Sequence, residues 1–157
     1  MTFSMLHPGL ILIIGSFLVP YLQGPVRSAY LLFLPLAAGI ALASLPYGAD
    51  LSAQLWGYDL QFIRVDKLSI LFGTVFCIMS FLGGLFALQV KDNLQHVAAL
   101  IYAGSTLGVV LAGDLLTLYI FWELMAVSST FLILASRTPQ AQQAGFRYRS
   151  EERRVGK

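Results

Sequence analysis

Five apolar runs, parted by short polar or glycine- and proline-bearing stretches, set the pattern of this chain: about 6–22, 28–45, 68–88, 97–112 and 115–135. A helix needs roughly 20 apolar residues to cross a hydrocarbon core of about 30 Å. The third and fifth runs meet that length, whereas the first and fourth are shorter and the first holds Pro8 and Pro20. Gly24-Pro25 and Pro46-Tyr47-Gly48 break the chain after the first and second runs. In the longest link, Pro46 to Lys67, Tyr58, Leu60 and Phe62 alternate with Asp59 and Gln61. That period predicts a short extended strand or hairpin lying on the membrane surface. Asp66 stands where a helix N-cap belongs, just ahead of the third run. Only Gly113-Asp114 divides the fourth run from the fifth. As one helix the two would extend about 60 Å, twice the core thickness, so the chain must turn at Gly113 with Asp114 capping the fifth helix.

Composition agrees with a membrane protein. Of 157 residues, 57% are hydrophobic and 11% charged, and mean hydropathy is +0.75; soluble domains carry about a quarter charged residues. The expected fold is therefore an all-α membrane protein with five transmembrane helices and no soluble domain. No Lys or Arg precedes Arg27, so the first run reads as a retained helix rather than a signal peptide. Cys77 is the one cysteine, which excludes a disulfide framework, and it reads as a small packed residue.

Charge changes the picture at one end. The last nine residues, Arg149 to Lys157, read "RSEERRVGK" and are unlike everything before them. They match the in-frame translation of a common sequencing adapter, so 149–157 is expected to be non-native and 1–148 to be the front part of a longer product. Without the tail, the 10 basic and 8 acidic residues become six and six. The sequence pI of 8.8 then comes from the tail and gives no sign of nucleic-acid binding. With five spans, Arg64 and Lys67 share one side and Arg27, Lys91, Arg137 and Arg147 the other. The positive-inside rule makes the second side cytoplasmic and places the N-terminus outside, in a multi-pass protein of the cell membrane.

Glu123 is the candidate for chemistry. It follows Asp114 by nine residues, about 14 Å along a helix and close to the bilayer midplane. Its helical neighbours Tyr119, Ile120, Ala126 and Val127 include no cation. Ionisable residues inside a membrane are functional by default, and a carboxyl that switches between neutral and charged as a cation approaches is what a proton relay needs. The alternative is a neutral, hydrogen-bonded glutamic acid that only helps helices associate. Lys67 and Lys91 flank spans and do not readily reach the midplane. Gly104, Gly108 and Ala112 form a small-residue stripe on the fourth helix, which packing alone explains. Trp122 and Tyr119 read as packing that could also exclude lipid from the carboxyl. His7 and His96 lie near span ends, which argues against a membrane bis-histidine haem and makes His96 an interfacial side chain. No phosphate loop, CxxC pair or nucleophile elbow occurs, so no redox cofactor is expected.

"AGDLLTLYIFWELMAVSSTFLI", Ala112–Ile133, closely resembles the fifth-helix signature of the antiporter-like membrane subunits. These are shared by respiratory complex I (NADH:quinone oxidoreductase) and the multisubunit Mrp-type sodium/proton antiporters. "FIRVDKLSILFG", Phe62–Gly73, is similar to the lead into their third helix, and "AGFRY", Ala144–Tyr148, to the loop before their sixth. The resemblance implies the N-terminal part of a bundle of about 14 helices with inverted repeats and broken helices. It places the family's essential midmembrane glutamate on Glu123, whose partner lysine, on the seventh helix, is absent from this chain. Asp114, Asp66, Gly104 and Gly108 would be its structural support. The implied function is that of a proton- or cation-translocating subunit, of the D type, in an Mrp-type Na+/H+ antiporter, truncated before that lysine. Its implied partners are other membrane subunits, protons and Na+, with no cofactor and no nucleic acid. The alternatives are a proton-pumping subunit of NADH:quinone oxidoreductase or a related membrane hydrogenase, and a noncatalytic membrane scaffold.

Overall fold

The computed structural model describes residues 6–135 apart from 56 and 91. The segment 136–157, with the adapter-like tail, the "AGFRY" match and Arg137 and Arg147 of the charge argument, lies outside the described residues, as does Lys91. In chain order the elements are α1 (Pro8–Ser16), a 3₁₀ turn (Val19–Tyr21), α2 (Gly24–Ser44), β1 (Asp50–Leu55), β2 (Tyr58–Arg64), α3 (Lys67–Phe86), a second 3₁₀ turn (Ala87–Gln89), α4 (Asn93–Leu111) and α5 (Leu115–Ala135).

Four helices, α2 to α5, are long and apolar enough to cross a membrane, and α1 with its 3₁₀ turn is shorter. The chain is thus an α-helical multi-pass membrane protein, with one element less extended than the fifth span expected over 6–22. Pro20 explains the change at the end of α1: its ring lacks the N–H that an α-helix would need there. Phe17 and Leu18 instead donate three residues back, to Ile14 and Gly15. At the other end Pro8 starts the helix and His7 caps it, with Nδ1 accepting from the Gly9 N–H at 3.1 Å.

Two helices begin earlier than hydropathy indicates. Pro25 sits in the first turn of α2, where a missing N–H has no partner to lose. Asp92 caps α4 by accepting from Leu94 N–H at 3.1 Å, which draws the polar residues Asn93, Gln95 and His96 into the helix. At the head of α3, Asp66 and Ser69 form a reciprocal capping box: Ser69 N–H donates to Asp66 Oδ1 at 2.6 Å and Asp66 N–H to Ser69 Oγ at 2.8 Å. The Ser69 amide above all, helped by the Ser69 hydroxyl, the Leu68 amide and the charge of Arg64, holds the exposed Asp66 carboxyl below its ordinary range.

The strands pair antiparallel through a tight turn in which Gly57 takes φ +83°. Simple alternation does not survive. Leu60 and Ile63, three residues apart, are the buried pair of β2, while Tyr58 is exposed. The register shifts between Leu51 and Ser52, which face Ile63 and Gln61, so Phe62 is the extra residue of a bulge and the side chains beyond it change face.

Helix α4 is central, packed on α1, α3 and α5 and touching β2. Gly9 of α1 and Gly104 of α4 meet backbone to backbone, since a Cβ on either would collide with the other's carbonyl oxygen. A turn later, the face of Gly108 is filled by the Phe121 ring of α5. Two glycines of one stripe therefore seat two different helices. The apolar core runs through Leu12, Leu34, Ala38, Leu42, Ile63, Leu107 and Leu111, all less than 5% exposed.

Candidate functional site

Helix α5 carries two unlike faces. Thr117, Phe121 and Ser128 turn inward and are buried, and Thr130, two turns beyond Glu123, is buried as well. Leu116, Tyr119, Ile120 and Glu123 turn outward and are exposed, so no described helix covers the glutamate. Glu123 lies eight residues into the helix, about 12 Å from its first residue. Tyr119, one turn earlier on the same face, is near enough for its phenol to interact with the Glu123 carboxylate. Neither α4 nor α5 contains a Lys or Arg. The hydroxyls of Ser128, Ser129 and Thr130 bond back to carbonyls of their own helix at 2.8–3.0 Å, and these bonds do not extend to the glutamate.

The end of α5 is fixed far more tightly. Asp114 Oδ1 accepts from the Leu116 and Thr117 amides at 2.8 and 2.9 Å, and Oδ2 from the Thr117 hydroxyl at 2.6 Å. The same Oδ2 accepts from the Gln61 N–H at 2.6 Å, while Gly113 N–H donates to the Gln61 carbonyl at 2.9 Å. The α4–α5 hairpin is thereby tied by its backbone to strand β2. A side chain at position 113 would run into Gln61, so the turn requires glycine. Partial burial pushes the Asp114 carboxyl up, but the Thr117 hydroxyl and the three amides outweigh it and hold it below the ordinary range.

His7 packs nearby, between Phe121 of α5 and the Phe62 backbone of β2. It is 4% exposed and stacks on Phe121 with ring centroids 5.3 Å apart. Among the described residues its Nε2 has no hydrogen-bond partner in reach. Burial lowers its pKa to about 4, and the nearby Phe62 carbonyl opposes that shift only in part. No sequence signal announces this burial, because an apolar run beside a histidine says nothing of which helices close over it. His96 is likewise buried, at 4% exposure, with Nε2 2.8 Å from the Val90 carbonyl, and is a packed side chain rather than an interfacial one. Among the described residues no group of three or more His, Cys, Asp or Glu is placed to hold a metal.

No protein-family model matches the chain. The A-type component of the Na(+)/H(+) antiporter of Alkalihalophilus pseudofirmus (strain ATCC BAA-2126 / JCM 17055 / OF4) is 38% identical over 77 residues. An antiporter component of Staphylococcus aureus (strain MRSA252), mnhA2, is 35% identical over the same length. Each match covers 45% of this chain and 10% of the relative. In fold, the chain is similar to part of the membrane-bound sulfane sulfur reductase, an archaeal respiratory membrane complex: TM-score 0.73 at 21% identity, over 90% of this chain and 32% of that one. Over part of its length the chain is thus similar in sequence to antiporter components, and in fold to part of a respiratory membrane complex. The matched stretch is about a tenth of the curated relatives' own length.

Proposed function

We propose that the chain forms part of a proton- or cation-translocating membrane subunit in a multisubunit Na+/H+ antiporter, and that Glu123 is the carboxyl that takes up and releases the ion. The observation that carries this reading is the placement of Glu123. It sits deep along an apolar helix, exposed among the described residues, with a phenol one turn away. A group there can exchange a proton with a cation-bearing partner brought to the same face, and the two then titrate as a coupled pair. The likeness to proteins named as antiporter components supports the ion-transport part.

A D-type identity is the reading that the wording of 112–133 favours. The curated relatives are A-type components, and this specific likeness makes an A-type identity the second reading. The decisive experiment introduces Glu123→Gln and Glu123→Asp into the assembled antiporter and follows Na+-driven proton movement in everted vesicles. Gln should abolish exchange and Asp should keep a measurable part. Undiminished exchange in the Gln variant would leave only the scaffold reading standing.

The proposed orientation puts the N-terminus outside the cell membrane. Ser52 on the exposed hairpin reports it. A Ser52→Cys variant should react with an impermeant maleimide added to intact cells, and reaction only after permeabilisation inverts the topology.

A further inference from the structure

We propose that Tyr119 is a positioning residue for Glu123: its phenol hydroxyl donates to the carboxylate and fixes where on α5 that group stands once its proton has left. The inference rests on the proposed function, because it concerns the carboxyl that takes up and releases the ion. The two residues are four apart on α5, the spacing that brings side chains together on one face of a helix. Side-chain direction favours the pair as well. Cα–Cβ bonds tilt toward the N-terminus of a helix, so Glu123 leans back over the turn that carries Tyr119. Both side chains are exposed, and phenol and carboxylate meet as hydrogen-bond partners.

The remaining side chains of α5 within a turn of Glu123 give it little else. Ile120, Ala126 and Val127 carry no donor. The hydroxyls of Ser128, Ser129 and Thr130 are taken by carbonyls of their own helix. Trp122 is the adjacent residue, and neighbours one apart on a helix do not face each other. A hydrogen bond to a charged acceptor is about twice as strong as one between neutral groups. The phenol therefore holds the ionised carboxylate more firmly than the protonated acid, and gives it one resting position between encounters with its ion. The phenol keeps its own O–H throughout. Only the Glu123 carboxyl gains and loses a proton.

Infrared spectroscopy of the full chain in detergent at alkaline pH reads the contact, with Glu123→Gln as the blank that identifies the Glu123 carboxylate band. Tyr119→Phe deletes only the hydroxyl and should move that band. Leu116→Ala, an exposed position of the same helix without a hydroxyl, should leave it in place. In the assembled antiporter, Tyr119→Phe should displace the pH profile of Na+-driven proton movement to the alkaline side by about one unit, the tenfold change expected of a hydrogen bond to a charged group. A band that Tyr119→Phe does not move, or that Leu116→Ala moves equally, overturns the positioning role and leaves the proposed function standing. A moved band with an unmoved pH profile overturns it too, since the contact would then have no bearing on the ion. Undiminished exchange in Glu123→Gln is the separate result that removes the proposed function, and the positioning role with it.

Discussion

Asp114 and Glu123 sit only nine residues apart, at the cap and along the length of α5, and their surroundings are built in opposite ways. At Asp114 four donors converge on one carboxylate, and the adjoining glycine admits no side chain. At Glu123 the carboxylate faces outward with a single phenol nearby. The first arrangement satisfies every oxygen locally and so fixes geometry; a helix end, a strand and a turn become one rigid corner. The second gives a costly group only one phenol of its own helix and an exposed side, which leaves it able to change partners. On the proposed function, carboxylates on one helix separate into a structural one and a reactive one by what surrounds them, not by residue type.

The largest test of the rigid corner is pH. His7 is buried neutral near it, and among the described residues the neighbours shown for it are Gly9, Phe121 and the Phe62 carbonyl, none of them charged. Its pKa falls from 6.5 to about 4 on folding, so the unfolded chain binds more protons between those values. Stability is therefore full above about pH 6.5, falls as pH drops through that window, and levels off below about 4. The loss should be on the order of 3 kcal/mol. Thermal unfolding in detergent at a series of pH values measures it, with His7→Phe as the reference that should lack the slope. A slope unchanged in that variant assigns the acid sensitivity to other groups.

Next in size is the cap. Asp114→Ala removes the acceptor for the first turn of α5 and strands the Gln61 amide, a loss of about 2 kcal/mol. Asp114→Asn keeps acceptor oxygen for the amides and should recover roughly half. If Ala unfolds at the same temperature as the unaltered chain, the corner is not what holds α5 to the hairpin.

Much of this corner was legible in the sequence. Two long apolar runs separated by Gly113-Asp114 can only fold back, and an aspartate before each of α3 and α5 marks a helix start. What hydropathy missed were features set by single hydrogen bonds or by distant contacts. Asp92 started α4 four residues before its apolar run, because a cap tolerates polar residues in the first turn. The bulge at Phe62 exchanged the buried face of β2, because alternation says nothing of an inserted residue. Burial of His7 and His96 depended on helices far away in sequence. The outward turn of Glu123 follows from which face of α5 meets Gly108, a pairing that one helix's own sequence does not contain.

The smallest expected effect on stability is also the most discriminating. Glu123→Gln exchanges a carboxyl for a near-isosteric amide on a face that packs against no described helix. If that face exists for function, the change should shift unfolding by no more than about 0.5 kcal/mol, the range of substitutions away from packed or paired groups. Tyr119→Phe, which removes the neighbouring phenol, should do as little. A glutamic acid kept only to hold helices together predicts the reverse: its loss would lower stability by more than about 1 kcal/mol, as for a buried polar group deprived of its bond. Parallel unfolding of Asp114→Ala and Glu123→Gln in one detergent thus tests the contrast between the two carboxylates directly. A large loss at Asp114 beside a negligible one at Glu123 sustains it, and comparable losses at both would make Glu123 a second structural group.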